Sequence, residues 1–402
     1  MKSNIVISGL VIATVGAVLL YPTLRNSAAA ITLPNPGAQV VPDTPQSAKR
    51  IEVVFVLDTT GSMGGLIQTA KNKIWSIAST LAQAQQGPEI SMGLVAYRDR
   101  GDAYVTRVFD LNTDLDLIHT QLMTFAADGG GDGPEAVNEA LHAAIEGISW
   151  SQDQETYKVV FLVGDAPPHM DYQGAVKYPE VVAAATERGI IVNTIQCGTM
   201  ADTVAPWQHI AALGNGRYFT VEQAGSGVAI ATPYDRQIAE LSAELDQTRF
   251  YYGSDEERAV GEFKMITGSR IRREASVAAQ ASRGVFNADD AAGVANFLGG
   301  KELVDDVANG RVELAEVAAE ELPASLVSLT PEQRSEVIDD NIVRREELQS
   351  QIRALAADRD AFIEAEIEAT GGVADSLDQQ IYDAVREQAA PLGLSYEDGP
   401  RF

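Results

Sequence analysis

The stretch Val53-Val54-Phe55-Val56-Leu57-Asp58-Thr59-Thr60-Gly61-Ser62-Met63-Gly64-Gly65 decides the reading of this chain. Its continuous apolar run, bounded by turn formers, predicts a strand buried on both faces. A helical pattern follows at once, with Ile67, Ala70, Ile74, Ile77, Ala78 and Leu81 on one face. Between strand and helix lie one carboxylate and two hydroxyls, at Asp58, Thr60 and Ser62. That order puts the three side chains at the carboxyl edge of a sheet, where open α/β sheets hold their ligands. Alternation lets the three face one point while Thr59 and Gly61 face away. Such an oxygen set suits a hard divalent cation, because hydroxyls add ligands without over-neutralising its charge. The competing reading is a helix cap, a role Asp, Thr and Ser all fill well.

Outward from this stretch, strand and helix patterns alternate from 51 to about 225. Ser91–Tyr97, Tyr104–Phe109, Lys158–Gly164, Ile190–Gln196 and Arg217–Thr220 read as further strands, and 114–126 and 134–147 as helices. The expected fold is α/β, a Rossmann-like and mostly parallel sheet with helices on both faces. Tyr104–Phe109 is short enough to be an antiparallel edge.

Two more loops in this region carry oxygen ligands. In Asp128-Gly129-Gly130-Gly131-Asp132-Gly133-Pro134-Glu135 the glycines allow close backbone approach, and Asp132 stands just before a helix. Asp132 and Glu135 also fit an Asp-x-x-Glu capping pattern. No Gly-Lys-Ser/Thr and no Gly-x-Gly-x-x-Gly after a strand is present, which excludes a nucleotide site. In Gly164-Asp165-Ala166-Pro167-Pro168-His169, Asp165 ends the most hydrophobic strand as Asp58 ends the first. A carboxylate emerging from a buried strand is costly unless paired or metal-bound. Three such loops at matching strand ends point to one divalent cation held by Asp58, Thr60, Ser62, Asp132 and Asp165. His169 reads as a surface hydrogen-bonding residue or as a contact to a metal-bound water or ligand, and Asp99 as a site-orienting group or a partner of Arg98 or Arg100.

Taken together, these phrases resemble the von Willebrand factor type A domain and its metal-ion-dependent adhesion site. Asp58-x-Thr60-x-Ser62 is similar to the family's Asp-x-Ser-x-Ser, and Asp165 sits where its last metal-site aspartate falls. With Tyr97-Arg98-Asp99 and the Gly129–Glu135 loop, the likeness is to the A domains of alpha-kinase-linked and hemicentin-like proteins. The resemblance implies a divalent cation, Mg²⁺ first and Ca²⁺ or Mn²⁺ as alternatives. It also implies a non-enzymatic module that binds a protein ligand through that ion. The family supplies a threonine where this chain offers Asp132. Three carboxylates around one divalent ion make it a poorer acceptor for an acidic ligand, so a neutral or basic partner group, or a more structural ion, is expected.

The remaining composition bounds the rest. The 402 residues are 45% hydrophobic and 22% charged, and 30 Lys+Arg against 57 Asp+Glu give a net charge of −27. Such acidity argues against nucleic acid or an anionic membrane surface as a partner. The lone Cys197 lies in an apolar run and reads as a buried structural thiol. Residues 1–30 read as a signal peptide, with Lys2, the apolar 5–20 and the small residues Ser27-Ala28-Ala29-Ala30; an uncleaved membrane anchor is the alternative. Either places the chain outside the cytoplasm, periplasmic, extracellular or membrane-anchored. Residues 31–49, with Pro34, Pro36, Pro42 and Pro45, form a linker.

The α/β domain is expected over 50–225 and an all-α region over 232–402. In the latter, helices are expected from Tyr234 to Leu245, in several pieces over 255–320, and from Ile338 to Ile367. Arg345 and Arg359 interrupt the seam of this last helix, which favours a small bundle over a coiled-coil hairpin. Two other functions compete with the binding module. A serine hydrolase would use Ser62 in a near Gly-x-Ser-x-Gly turn, with Asp165 and His209 following in order. A structural envelope protein would use the metal only to stabilise its fold.

Overall fold

The structure, a computed structural model, describes residues 49–402 apart from 86, 132, 222–229, 290, 371–376, 397–398 and 400–402. The expected export signal, nearly all of the linker and the expected ligand Asp132 lie outside the described residues.

In chain order the first half comprises β1 (Arg50–Asp58), α1 (Gly64–Ala82), β2 (Glu89–Tyr97), β3 (Thr106–Asn112), α2 (Leu115–Met123), α3 (Val137–Glu146), β4 (Tyr157–Gly164), α4 (Tyr178–Glu187), β5 (Ile190–Cys197), α5 (Ala201–Leu213) and β6 (Tyr218–Val221). The strands form one sheet in the order β3-β2-β1-β4-β5-β6, parallel except for the edge strand β3. The period-2 rule sorts β1 between its two faces. Ile51, Val53, Phe55 and Leu57 enter one core with α1 and α2, while Val54 and Val56 enter the other with α3, α4 and α5. Phe55 and Phe161, neighbours in register, stack at 5.6 Å between centroids. Each large side chain so buried contributes about 1.5–3 kcal/mol.

Element bounds differ from expectation where tertiary pairing intervenes. The third strand begins at Thr106 and runs on to Asn112, following its pairing with β2. Helix α3 starts at Val137, because Glu135 is held in a bridge to Pro168.

The second half is helical: α6 (Asp235–Asp246), α7 (Asp255–Glu274), α8 (Val277–Asp289), α9 (Ala291–Leu298), α10 (Leu303–Ala308), α11 (Ala324–Val327), α12 (Pro331–Thr370) and α13 (Leu377–Ala389). It shares the core of the sheet. Phe286 of α8 meets Trp75 of α1, and Ile381, Tyr382 and Val385 of α13 join the β1 face. The misfit arginines of α12 are explained by their partners. Arg345 pairs with buried Glu302 at 2.8 Å and Arg359 with buried Asp235 at 2.9 Å. Helix α12 therefore packs in a bundle with α6, α8 and α10. Among the described residues no helix is long and apolar enough to cross a membrane.

Candidate metal centre

The chain leaves β1 for β2 on one side, while β4 lies on the other. The carboxyl ends of β1 and β4 therefore flank the switch point of the sheet, where a crevice forms. Asp58 ends β1 there, and Asp165 directly follows β4. Both are buried, Asp58 completely.

The first turn is a chain of oxygens. Asp58 Oδ1 accepts from the Thr60 backbone N–H at 2.8 Å and the Thr60 hydroxyl at 2.6 Å, and Thr60 Oγ1 lies 3.3 Å from Ser62 Oγ. Thr60 is buried and Ser62 exposed, so the row runs from the interior to the surface. None of the three caps α1, whose N-cap is Met63 with no side-chain hydrogen bond. The helix-cap reading is thereby set aside.

Backbone hydrogen bonds draw the other two loops onto this turn. Asp128 N–H donates to Thr59 O and Gly61 N–H to Gly129 O, while Glu135 N–H donates to Pro167 O and His169 N–H to Glu135 O. Gly129 and Gly130 both have positive φ, and Gly130 N–H donates to Asp102 at 3.0 Å. A Cβ on Gly130 would stand 3.1 Å from Glu135 Oε1 and 3.2 Å from Thr60 Cβ, which places that carboxylate beside the hydroxyl row. The loops carrying Asp58, Glu135 and Asp165 therefore converge. Among the described residues no three His, Cys, Asp or Glu side chains form a metal cluster by themselves, so hydroxyls are needed to complete a set.

Electrostatics single out two carboxylates. Burial, reinforced by Asp165, raises Asp58 to about 7 against the opposing hydrogen bonds from Thr60. The Asp165 backbone N–H pulls the other way, and Asp58 Oδ2 has no hydrogen-bond partner among the described residues. Burial and then Asp58, Asp99, Asp102 and Asp165 raise Glu135 to about 9, and its Oε2 is likewise unpartnered. The buried Tyr97 hydroxyl is a third such group, pushed well above its usual range by burial and the same carboxylates. Buried polar atoms without partners are rare, and acidic ones crowded together call for positive charge. The residues present fit a divalent cation.

Several roles differ from expectation. Glu135 does not cap α3, whose N-cap is Ala136 without a side-chain bond; it is a buried acid of the site. Only its place beside the glycine loop hinted at this. His169 is buried rather than on the surface, stacked on Tyr172 at 3.8 Å with Nδ1 2.8 Å from Asp171. Asp99 pairs with neither neighbouring arginine but accepts 2.8 Å hydrogen bonds from the Tyr172 hydroxyl. Arg98 instead donates to the carbonyls of Thr59 and Ala126, tying the loops together. Cys197 is buried and free, and burial pushes its thiol far up, which suits a structural role.

Residues 52–233 match the family model for the von Willebrand factor A domain. A protein of Acanthamoeba polyphaga mimivirus, described as an ariadne-like RING finger protein, is 25% identical over 119 residues. That match takes in 30% of this chain and 11% of the viral protein, so the chain spans about a tenth of that relative. Among solved structures, proximal thread matrix protein 1 of the mussel byssus, with a zinc-occupied MIDAS motif, is 19% identical over 43% of this chain and 42% of its own, with a TM-score of 0.34. BatB from Bacteroides thetaiotaomicron is 16% identical over 44% of this chain and 91% of its own, at 0.33. The VWA domain of SpRpn10 is 11% identical over 46% and 95%, at 0.34.

Proposed function

We propose that the A domain of this chain holds a divalent cation, Mg²⁺ first, through Asp58, Thr60, Ser62, Asp132 and Asp165, and binds a protein partner through it outside the cytoplasm. The observation that carries this reading is the buried, unpartnered Oδ2 of Asp58 beside Asp165 at the switch point of the sheet. When bound, the ion supplies a Lewis-acid acceptor for an oxygen of the partner. The protein's part is to keep Asp58 fixed by Thr60, to bring the glycine loop against Thr60, and to shield the acids from water. Asp132 adds negative charge at the same loop, which favours a neutral or basic group on the partner over an acidic one.

The hydrolase alternative finds less support. His209 Nδ1 is engaged by the Tyr178 hydroxyl at 2.9 Å, and among the described residues no hydrogen bond joins Ser62 to a histidine.

Calorimetry of the full chain with Mg²⁺ and with Ca²⁺ tests the site. Saturable binding of one ion is expected, weakened by Ser62→Ala and altered by Asp132→Thr. An Asp132→Thr variant with both affinities unchanged would remove Asp132 from the ligand set; no binding by the wild type would remove the site. Partner capture in Mg²⁺ against chelator, with Ser62→Ala as control, separates a binding module from a purely stabilising ion.

A further inference from the structure

Helix α7 is packed on one face and bare on the other. Gly261, Lys264, Thr267, Gly268 and Ile271 are buried, and the helix lies against α2. On the outer face Val260, Phe263 and Ile266 are 69%, 53% and 63% exposed. Three residues apart, they form one apolar stripe along the helix. The charges flanking it are segregated: Asp255, Glu256 and Glu257 in the first turn, Arg272 and Arg273 in the last. Arg258 turns to Asp255 and Arg270 to Glu274. Glu256 and Arg273, at the two ends of the stripe, have no ion-pair partner among the described residues.

We propose that this stripe is a dimer interface, α7 packing antiparallel against α7 of a second copy of this chain. A two-fold axis between Lys264 and Met265 sets Phe263 opposite the partner's Ile266 and Ile266 opposite the partner's Phe263. The same register sets Glu256 opposite the partner's Arg273, twice over. An isologous interface requires this self-complementarity, with residue i facing j and j facing i. Antiparallel pairing also opposes the two helix dipoles favourably. A membrane is the poorer occupant, because surface-lying helices carry Lys and Arg beside the apolar face. Here basic residues close only one end of that face and acidic ones the other, on a chain of net charge −27.

Sedimentation equilibrium of the full chain provides the test. The wild type is expected as a dimer and Phe263→Asp as a monomer; Phe263 is exposed, so an unchanged thermal melt shows that the variant folds. Glu256→Arg and Arg273→Glu should each weaken the dimer about tenfold, and the double variant should restore it. A monomeric wild type, a dimer indifferent to Phe263→Asp, or a double variant no tighter than either single one overturns the proposal. A monomer whose cosedimentation with phosphatidylglycerol vesicles is lost in Phe263→Asp also overturns it and assigns the stripe to a membrane.

Discussion

Arg283 on α8 and Asp116 on α2, 167 positions apart, are joined by hydrogen bonds of 2.6 and 2.7 Å with both side chains buried. Asp246 on α6 completes the cluster, 3.1 Å from the same guanidinium. Burial pushes the Asp116 carboxyl up, yet the charge and hydrogen bonds of Arg283 overcome it and hold the group well below the usual carboxylate range. This contribution is present above the unfolded pKa near 4 and lost as pH falls below it. Removing one member of a buried pair leaves an uncompensated charge, so Arg283→Met should cost about 3–5 kcal/mol in urea unfolding. A loss within experimental error would show that the pair does not anchor the helices.

The proposed metal centre predicts the opposite pH dependence. Burial first, and neighbouring acids after it, raise Asp58 from 3.8 to about 7 and Glu135 from 4.5 to about 9. Between those limits the folded chain holds more protons than the unfolded chain, so metal-free stability falls as pH rises. A bound cation favours the ionised acids and offsets the fall. Melting temperatures at about pH 5, 7 and 9 should therefore decline in chelator and decline much less in Mg²⁺. Parallel curves in the two conditions would count against an ion at this site.

Gly164 leaves room that the site uses. A Cβ there would lie 2.3 Å from the Tyr97 hydroxyl and 3.0 Å from Asp58 Cβ. Gly164→Ala is expected to destabilise by about 1–3 kcal/mol through overpacking, and to weaken Mg²⁺ binding by displacing Asp58. Calorimetry showing unchanged affinity would separate the packing from the ion.

Tyr97→Phe should act in the other direction. The hydroxyl is buried without a partner among the described residues. Its removal relieves about 1–3 kcal/mol of desolvation cost in the metal-free chain. Urea unfolding in chelator checks the sign; a destabilised variant would show that the hydroxyl is hydrogen-bonded in solution.

The sheet was legible because β1, β2, β4 and β5 are short, mostly apolar runs buried on both faces, and the ends of β1 and β4 declare themselves by a carboxylate after such a run. Asp58, Thr60 and Asp165 could be placed at one rim for that reason. Glu135 could not, since Asp-x-x-Glu before a helix has the same spelling whether the acid caps the helix or turns inward; a bridge to Pro168 decides it. Likewise, Arg345 and Arg359 looked like errors in an apolar seam. Their partners, Glu302 and Asp235, lie 43 and 124 positions away, beyond any local pattern.

Helix α13 closes one side of the sheet with Ile381, Tyr382 and Val385, and the segment after it returns to α1, Gln85 N–H donating to Ser395 O and the Tyr396 hydroxyl to Leu81 O. The side of the sheet that β1 begins is therefore completed only after α13, more than 300 residues further along the chain, has been made. A chaperone that shelters the apolar side of β1 would be expected to act in the interval before α13 is made.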